Sequence, residues 1–445
     1  MDTPICDFAR RYAQGHALRL HMPGHKGSGP LGVEQYDITE IDGADSLYEA
    51  RGIIRQSEGN AGMLFGCETF YSTEGSSQCI RAMLYLAMLH ARQRGRKPLI
   101  AAARNVHKTF LSAAALLDLD VMWLYPRQPD SYLSCKLDAH DISEYLSRAG
   151  ELPAAVYLTS PDYLGNLADV AAISAVCHRY GVLLLVDGAH GAYLRFLEPS
   201  QHPIDLGADL CCASAHKTLP VLTGGASLHI SNAAPTMLVR QAKNALALFG
   251  STSPSYLILQ SLDAANAYLS RGYPGTLAGF LPQVQRLKNE LCAHGYCLQG
   301  DEPLKLTISP KSYGYEGKEI AGRLLEKGIV CEFADPDFVV MMLTPETGES
   351  GLRQLRAALL SIPRRTAVTR MLPEFHRCEQ VMSIREASLS PAETVPVEDS
   401  IGRVLAAATV GCPPAVPIIT CGERIDEAAV QRFSYYGIET CAVVI

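Results

Sequence analysis

The 445-residue chain has no basic excess: 39 lysines and arginines stand against 46 acidic residues, a formal charge of −7. Neutralising a phosphate backbone needs the opposite balance, so nucleic acid is not an expected partner. Long hydrophobic runs are missing too. Purely apolar stretches such as residues 83–89 fall far short of a membrane span, and no membrane association is expected. The amino terminus, MDTPICDFARRYAQGH, lacks the apolar core and small-residue cleavage site of a secretory signal, and no N-x-S/T sequon occurs. Fourteen cysteines are scattered from Cys6 to Cys441, yet none forms a C-x-x-C pair. That excludes a zinc ribbon and a dithiol redox motif, and most of these cysteines read as small buried hydrophobes. These absences point to a reducing, cytoplasmic setting and to no metal centre.

What the chain does have is a normal globular composition, 48% hydrophobic and 19% charged, with length for two or three domains. From about residue 64 to 230, helix-like and strand-like segments alternate. SSQCIRAMLYLAMLHARQRG places Ile80, Met83, Leu84, Ala87, Met88 and Ala91 at helical spacing. PLIAAA, VMWLY, AAVYLT, GVLLLVD, LCCASA and GASLHI read as short apolar strands. Continuous apolar strands between helices indicate an α/β domain whose sheet is mainly parallel and covered on both faces. After about residue 269, GYPGTLAGFLPQ reads as a Gly/Pro-rich connection, followed by a compact α+β segment. The expected division is an N-terminal segment over 1–60, a large domain over 61–275, a small α+β domain over 276–365 and a C-terminal region over 366–445.

Chemistry concentrates in a few segments. In SAHKTLPVLTGG, Lys217 lies just past the strand LCCASA, where α/β proteins place their ligands. Among Ser214, His216 and Thr218 it reads as a partly desolvated amine, suited to Schiff-base chemistry. A lysine after a strand is nevertheless more commonly a surface residue. In VLLLVDGAHGAYLRF, Asp187 ends an apolar strand, a costly position for a carboxylate without a cationic partner. The pyridinium N–H of pyridoxal phosphate is one such partner, and His190 lies within reach of the same ring. A metal pair, or an aspartate capping the next turn, are the competing readings.

Gly75, Ser76 and Ser77 open the long helix, where free N–H groups and hydroxyls form an anion site, although a plain N-cap has the same sequence. His107 follows the strand PLIAAA and opens a helix, placed either to stack on an aromatic cofactor or to cap that helix. Ser251 and Thr252 sit in a turn closed by Pro254. In HMPGHKGSG, His21 and His25 have the i, i+4 spacing of a zinc motif, but Pro23 and Gly24 exclude a helix. The G-x-G-x-x-G at Gly27–Gly32 follows no strand and contains Pro30, which excludes a dinucleotide site.

Taken together, these segments resemble the Orn/Lys/Arg decarboxylase family of pyridoxal phosphate enzymes. HMPGHKGSG, DITEIDGADSL, EGSSQ, RNVHK, VDGAHGAYLRF, SAHKTLPVLT, STSPSY and PPAVPIITCGE follow the family's landmarks in order over nearly the whole chain. The resemblance implies the aspartate-aminotransferase (type I) fold, with a mainly parallel seven-stranded sheet between helices and a smaller α+β C-terminal domain. It implies decarboxylation of arginine, lysine or ornithine to the amine, as in polyamine biosynthesis. By the same resemblance Lys217 carries pyridoxal phosphate, Asp187 partners the ring nitrogen and His107 stacks on the ring. Ser76, Ser77, Ser214 and His216 become phosphate or pocket contacts. Thr252 resembles the residue that reaches the phosphate from a neighbouring subunit, which implies a homodimer or higher homo-oligomer with the site at the interface. Lys217 or His216 delivers a proton to Cα. Glu332 and Glu423 are candidates for holding a cationic side chain, and either reads equally well as a surface carboxylate.

The chain resembles the short form of the family, without the extra N-terminal domain of the long inducible enzymes. It departs from the pattern at Gly188, where an acidic residue is usual, and at Gly224, where glutamine is frequent. The Tyr-Pro-Pro-Gly turn becomes Cys412-Pro413-Pro414-Ala415, and Pro-Gly-Glu becomes Cys421-Gly422-Glu423. An aminotransferase or lyase on the same fold is the nearest alternative, with Arg353 or Arg356 as a carboxylate binder. A non-catalytic relative is a second alternative, against which intact Lys217, Asp187 and His107 count.

Overall fold

The computed structural model describes residues 1–127, 131–375, 377–408 and 414–445. Its strand-like segments assemble into one seven-stranded sheet. The strands are β1 (Glu68–Ser72), β2 (Leu99–Ala103), β3 (Asp120–Leu124), β4 (Ala155–Thr159), β5 (Leu183–Asp187), β6 (Leu210–Ala213) and β7 (Ala226–Ile230), in the order β1-β7-β6-β5-β4-β2-β3. Neighbours β2 and β3 are parallel, as are β5 and β6. β7 runs antiparallel to both β6 and β1. The α/β class expected from the alternation is the one observed. Every residue of β5 is buried, which is why its sequence shows no alternation. Its four aliphatic side chains each contribute roughly 1.5–3 kcal/mol by leaving water.

The chain folds into two compact units. The first comprises Met1–Lys97, Ala154–Val156 and Val170–Leu277. Its long helix Gly75–Gln93 buries Ile80, Met83, Leu84, Ala87, Met88 and Ala91, the stripe that the spacing predicts. Gln78, also buried, donates to Tyr48 Oη and to the Leu246 carbonyl, both at 2.8 Å, and accepts from Ser72 Oγ at 2.6 Å. The amide is therefore fully used and pins the start of the helix. The N-terminal helix Pro4–Gln14 is tied down by Asp263, whose Oδ2 accepts from the Ile5 and Cys6 amides at 2.9 and 3.0 Å.

The second unit comprises Pro98–Pro153, Tyr157–Asp169 and Ala278–Ile445. It contains an antiparallel sheet of β8 (Cys297–Gln299), β9 (Lys305–Ser309), β10 (Phe333–Ala334) and β11 (Val339–Met342), in the order β10-β11-β9-β8. Helices Gly317–Leu325 and Gly348–Leu360 give this region the α+β texture expected of it. An antiparallel pair, β12 (Ala392–Pro396) with β13 (Thr440–Val444), joins a separate small core of Val397, Leu405, Ile418, Phe433 and Val443.

One expectation fails. GYPGTLAGFLPQ is not a loose connection but the first half of a 22-residue helix, Tyr273–His294, with Pro282 inside it. Tyr273, Leu277, Phe280, Val284, Leu287 and Leu291 are all buried at helical spacing, and that burial outweighs the interruption by proline. Among the described residues no helix is long and apolar enough to cross a membrane.

Candidate active site

The first unit gathers its reactive side chains at the carboxyl ends of β5 and β6. These strands are parallel and in register, with Asp187 opposite Cys212. Asp187 is 2% exposed, and its Oδ1 accepts from the Ala189 amide at 3.1 Å and from Cys212 Sγ at 3.4 Å. The chain then turns through Gly188, whose amide donates to the Cys212 carbonyl at 3.0 Å, and Gly191 closes the turn onto the Gly188 carbonyl at 2.8 Å. This turn brings buried His190 to Lys217, with Nε2 3.0 Å from Nζ. Lys217 lies on the single helical turn Ala215–Thr218 immediately after β6 and is half-buried. The surface-lysine alternative is therefore not the one the fold adopts.

The start of the long helix is latched to the lysine-bearing loop. The Gly75 amide donates to the Gly224 carbonyl at 2.7 Å, and the His216 amide donates to the Gly225 carbonyl at 3.1 Å. His216 Nδ1 donates to the same Gly225 carbonyl at 2.9 Å, so this imidazole is committed to its own loop. Burial, reinforced by the nearby Lys217 charge, holds His216 below the usual histidine range and so neutral. Ser76 and Ser77 occupy the first turn of the helix and are half-buried, and Ser214 is buried beside the lysine turn. Gly224 has φ +98°, and a Cβ there would lie 2.8 Å from the Thr73 carbonyl oxygen. Glutamine cannot replace it on this backbone, which accounts for that departure. Ser251, in the turn that carries Thr252, donates its amide to the Glu74 carboxylate, and Thr252 itself is exposed.

The remaining expected residues belong to the second unit. His107 is the N-cap of helix Lys108–Leu117: its Nδ1 accepts from the Thr109 amide at 3.1 Å, which leaves Nε2 protonated. The Lys108 amide donates to the carbonyl of Ala415, a buried non-glycine residue at φ +58°. Glu332 is exposed, and Tyr163 Oη donates to it at 3.0 Å. Glu423 is no surface carboxylate. It is 3% exposed, takes the Thr420 amide at 2.5 Å, and faces Arg104 at 3.5 Å. Arg353 and Arg356 are exposed and paired with Glu349 and Glu290, as a solvated helix would have them. Cys421 is buried, while Cys412 and Pro413 lie outside the described residues. In the first unit, His21 meets Tyr12 Oη, and His25 meets Asp37 at 3.2 Å.

Comparison with known proteins supplies the family. The Orn/Lys/Arg decarboxylase major domain matches residues 3–291. The chain belongs to the Orn/Lys/Arg decarboxylase family. An uncharacterised Bacillus subtilis protein, YaaO, is 29% identical over 98% of this chain and 94% of its own length. A Bacillus subtilis arginine decarboxylase is 28% identical over 98% of this chain and 93% of its own. Among solved structures, the Francisella novicida lysine decarboxylase LdcF superimposes with a TM-score of 0.81 at 16% identity, covering all of this chain and 81% of that one. That likeness shows the fold, the type I architecture.

Pyridoxal phosphate is the cofactor of this family, and the first unit fits it. A primary amine beside an imidazole, a buried carboxylate on the adjoining strand, and a 19-residue helix opening with two hydroxyls form the donor set that a phosphorylated aldehyde with a ring nitrogen requires. Sequence reasoning placed Asp187, His190 and Lys217 but overlooked Cys212. Its only signal is the doubled cysteine in LCCASA, and a strand register is needed to see which carboxylate it meets.

Proposed function

We propose that this enzyme decarboxylates a basic amino acid, arginine, lysine or ornithine, to the corresponding amine and carbon dioxide with pyridoxal phosphate. The observation that carries the reading is the Lys217 Nζ–His190 Nε2 contact of 3.0 Å beside buried Asp187, in a chain of this family. Lys217 would hold the cofactor covalently, Asp187 its ring nitrogen, and Ser76, Ser77, Ser214 and His216 its phosphate or the adjoining pocket. The same reading gives His107 the ring-stacking role. Bound pyridoxal phosphate supplies an electron sink for the pair left on Cα when the carboxylate departs.

The protein's own groups do the rest. His190 Nε2 takes the ammonium proton of Lys217 Nζ, which leaves a neutral, nucleophilic amine. Asp187 keeps a proton on the ring nitrogen. Lys217, not His216, returns the proton to Cα, because the His216 imidazole is neutral and bonded to Gly225. A cationic substrate side chain needs a carboxylate, and Glu332, oriented by Tyr163, suits that task better than Glu423, already engaged by Arg104. Arginine is the first substrate to test, since the Bacillus subtilis relative is an arginine decarboxylase. A cytoplasmic homodimer in which Thr252 reaches the neighbouring subunit's phosphate site, and the division at residues 60, 275 and 365, belong to the same proposal.

Adding pyridoxal phosphate to purified protein should give a visible absorbance band that Lys217→Ala lacks. No band in the wild type would overturn the proposal.

A further inference from the structure

Three buried thiols lie near Asp187. Cys79, Cys211 and Cys212 are all fully buried and all feel its charge, and burial together with that charge pushes the three thiols up, Cys79 to about 12. All three therefore stay protonated, but they are not equivalent. Cys211 Sγ turns to the Cys212 carbonyl at 3.4 Å, whereas Cys212 Sγ donates to Asp187 Oδ1 at 3.4 Å. The contact is built into the sheet. Cys212 is the register partner of Asp187 on parallel strands, and its carbonyl also receives the Gly188 amide that sets the turn toward His190. Like the Ala189 amide, the thiol donates to Oδ1, and the two bonds together restrict rotation of the carboxylate.

We propose that Cys212 is a positioning residue for Asp187: its S–H holds the carboxylate in the orientation that receives the ring N–H of the cofactor. The inference rests on the assignment of Asp187 above. A thiol is a weak donor, but here it serves a charged acceptor out of water, where a hydrogen bond counts for more. It touches neither substrate nor Lys217 in this role. Its effect should appear first in how tightly and in what form the cofactor is held.

The test is titration of the full-length protein, stripped of cofactor, with pyridoxal phosphate, followed by visible absorbance, with thermal midpoints measured alongside. Cys212→Ala should raise the dissociation constant about three- to tenfold and alter the wild-type spectrum of the bound cofactor. Cys212→Ser, which restores a donor, should stay within about twofold of wild type. Cys211→Ala removes an equally buried thiol from the same strand without touching that bond, and should leave affinity and spectrum unchanged. If Cys212→Ala binds like wild type, or if Cys211→Ala and Cys212→Ala weaken binding equally, the positioning role is wrong. Asp187→Asn separates the two levels of the claim. Strong impairment there with an unaffected Cys212→Ala overturns Cys212 alone, whereas wild-type binding by Asp187→Asn overturns the Asp187 assignment beneath it.

Discussion

Two buried carboxylates on different units of this protein have opposite fates. Asp187, at the end of β5 in the first unit, is held by a backbone amide and a thiol, both neutral donors. Glu423, in the second unit, faces the Arg104 guanidinium, which also ties the carbonyls of Pro417 and Ile418. The first is oriented by an amide and a thiol that carry no charge; the second faces a charge of the protein's own. Burial alone does not mark a functional carboxylate: what its neighbours supply decides between chemistry and scaffolding.

The largest difference between the two units is expected at Lys217. Lys217→Ala should lower kcat roughly a thousandfold or more, measured as carbon dioxide release, while Arg104→Met should act on stability. His190→Phe removes the acceptor of the lysine proton and should cost about a hundredfold in kcat, read in steady-state kinetics, with the fold retained by circular dichroism.

The two glutamates of the second unit should respond in opposite ways. Glu423→Gln breaks a buried pair and should destabilise by about 3 kcal/mol in urea unfolding, with KM unchanged. Glu332→Gln should do the reverse, raising KM for a cationic substrate about tenfold with little loss of stability. An unchanged KM in Glu332→Gln would remove Glu332 from the substrate site. The smallest effect is expected at Ala415, whose left-handed backbone is a conformation that favours glycine. Ala415→Gly should relieve strain and, after the entropy cost of glycine, stabilise by about 0.5 kcal/mol in the same unfolding assay.

Much of the fold was legible because fully buried strands announce themselves as apolar runs, and because Lys217 and Asp187 stand at the ends of two of them. β1, ETFYS, was not, since its mixed residues make no apolar run. Nor was the reversed direction of β7, which sequence patterning does not encode. The helix Tyr273–His294 was hidden by its glycines and prolines, and only the burial of its six apolar residues reveals why it forms. At the site, residue types were readable but partners were not. Cys212 needs a strand register to meet Asp187, and Glu423 meets Arg104 from over 300 positions away in the chain.

The most direct measurement is the product balance of the holoenzyme supplied separately with L-arginine, L-lysine and L-ornithine. One molecule of carbon dioxide and one of the matching amine per molecule consumed, with at least one of the three, is the result expected here. Formation of a keto acid without carbon dioxide, or no turnover of any of the three, would contradict it.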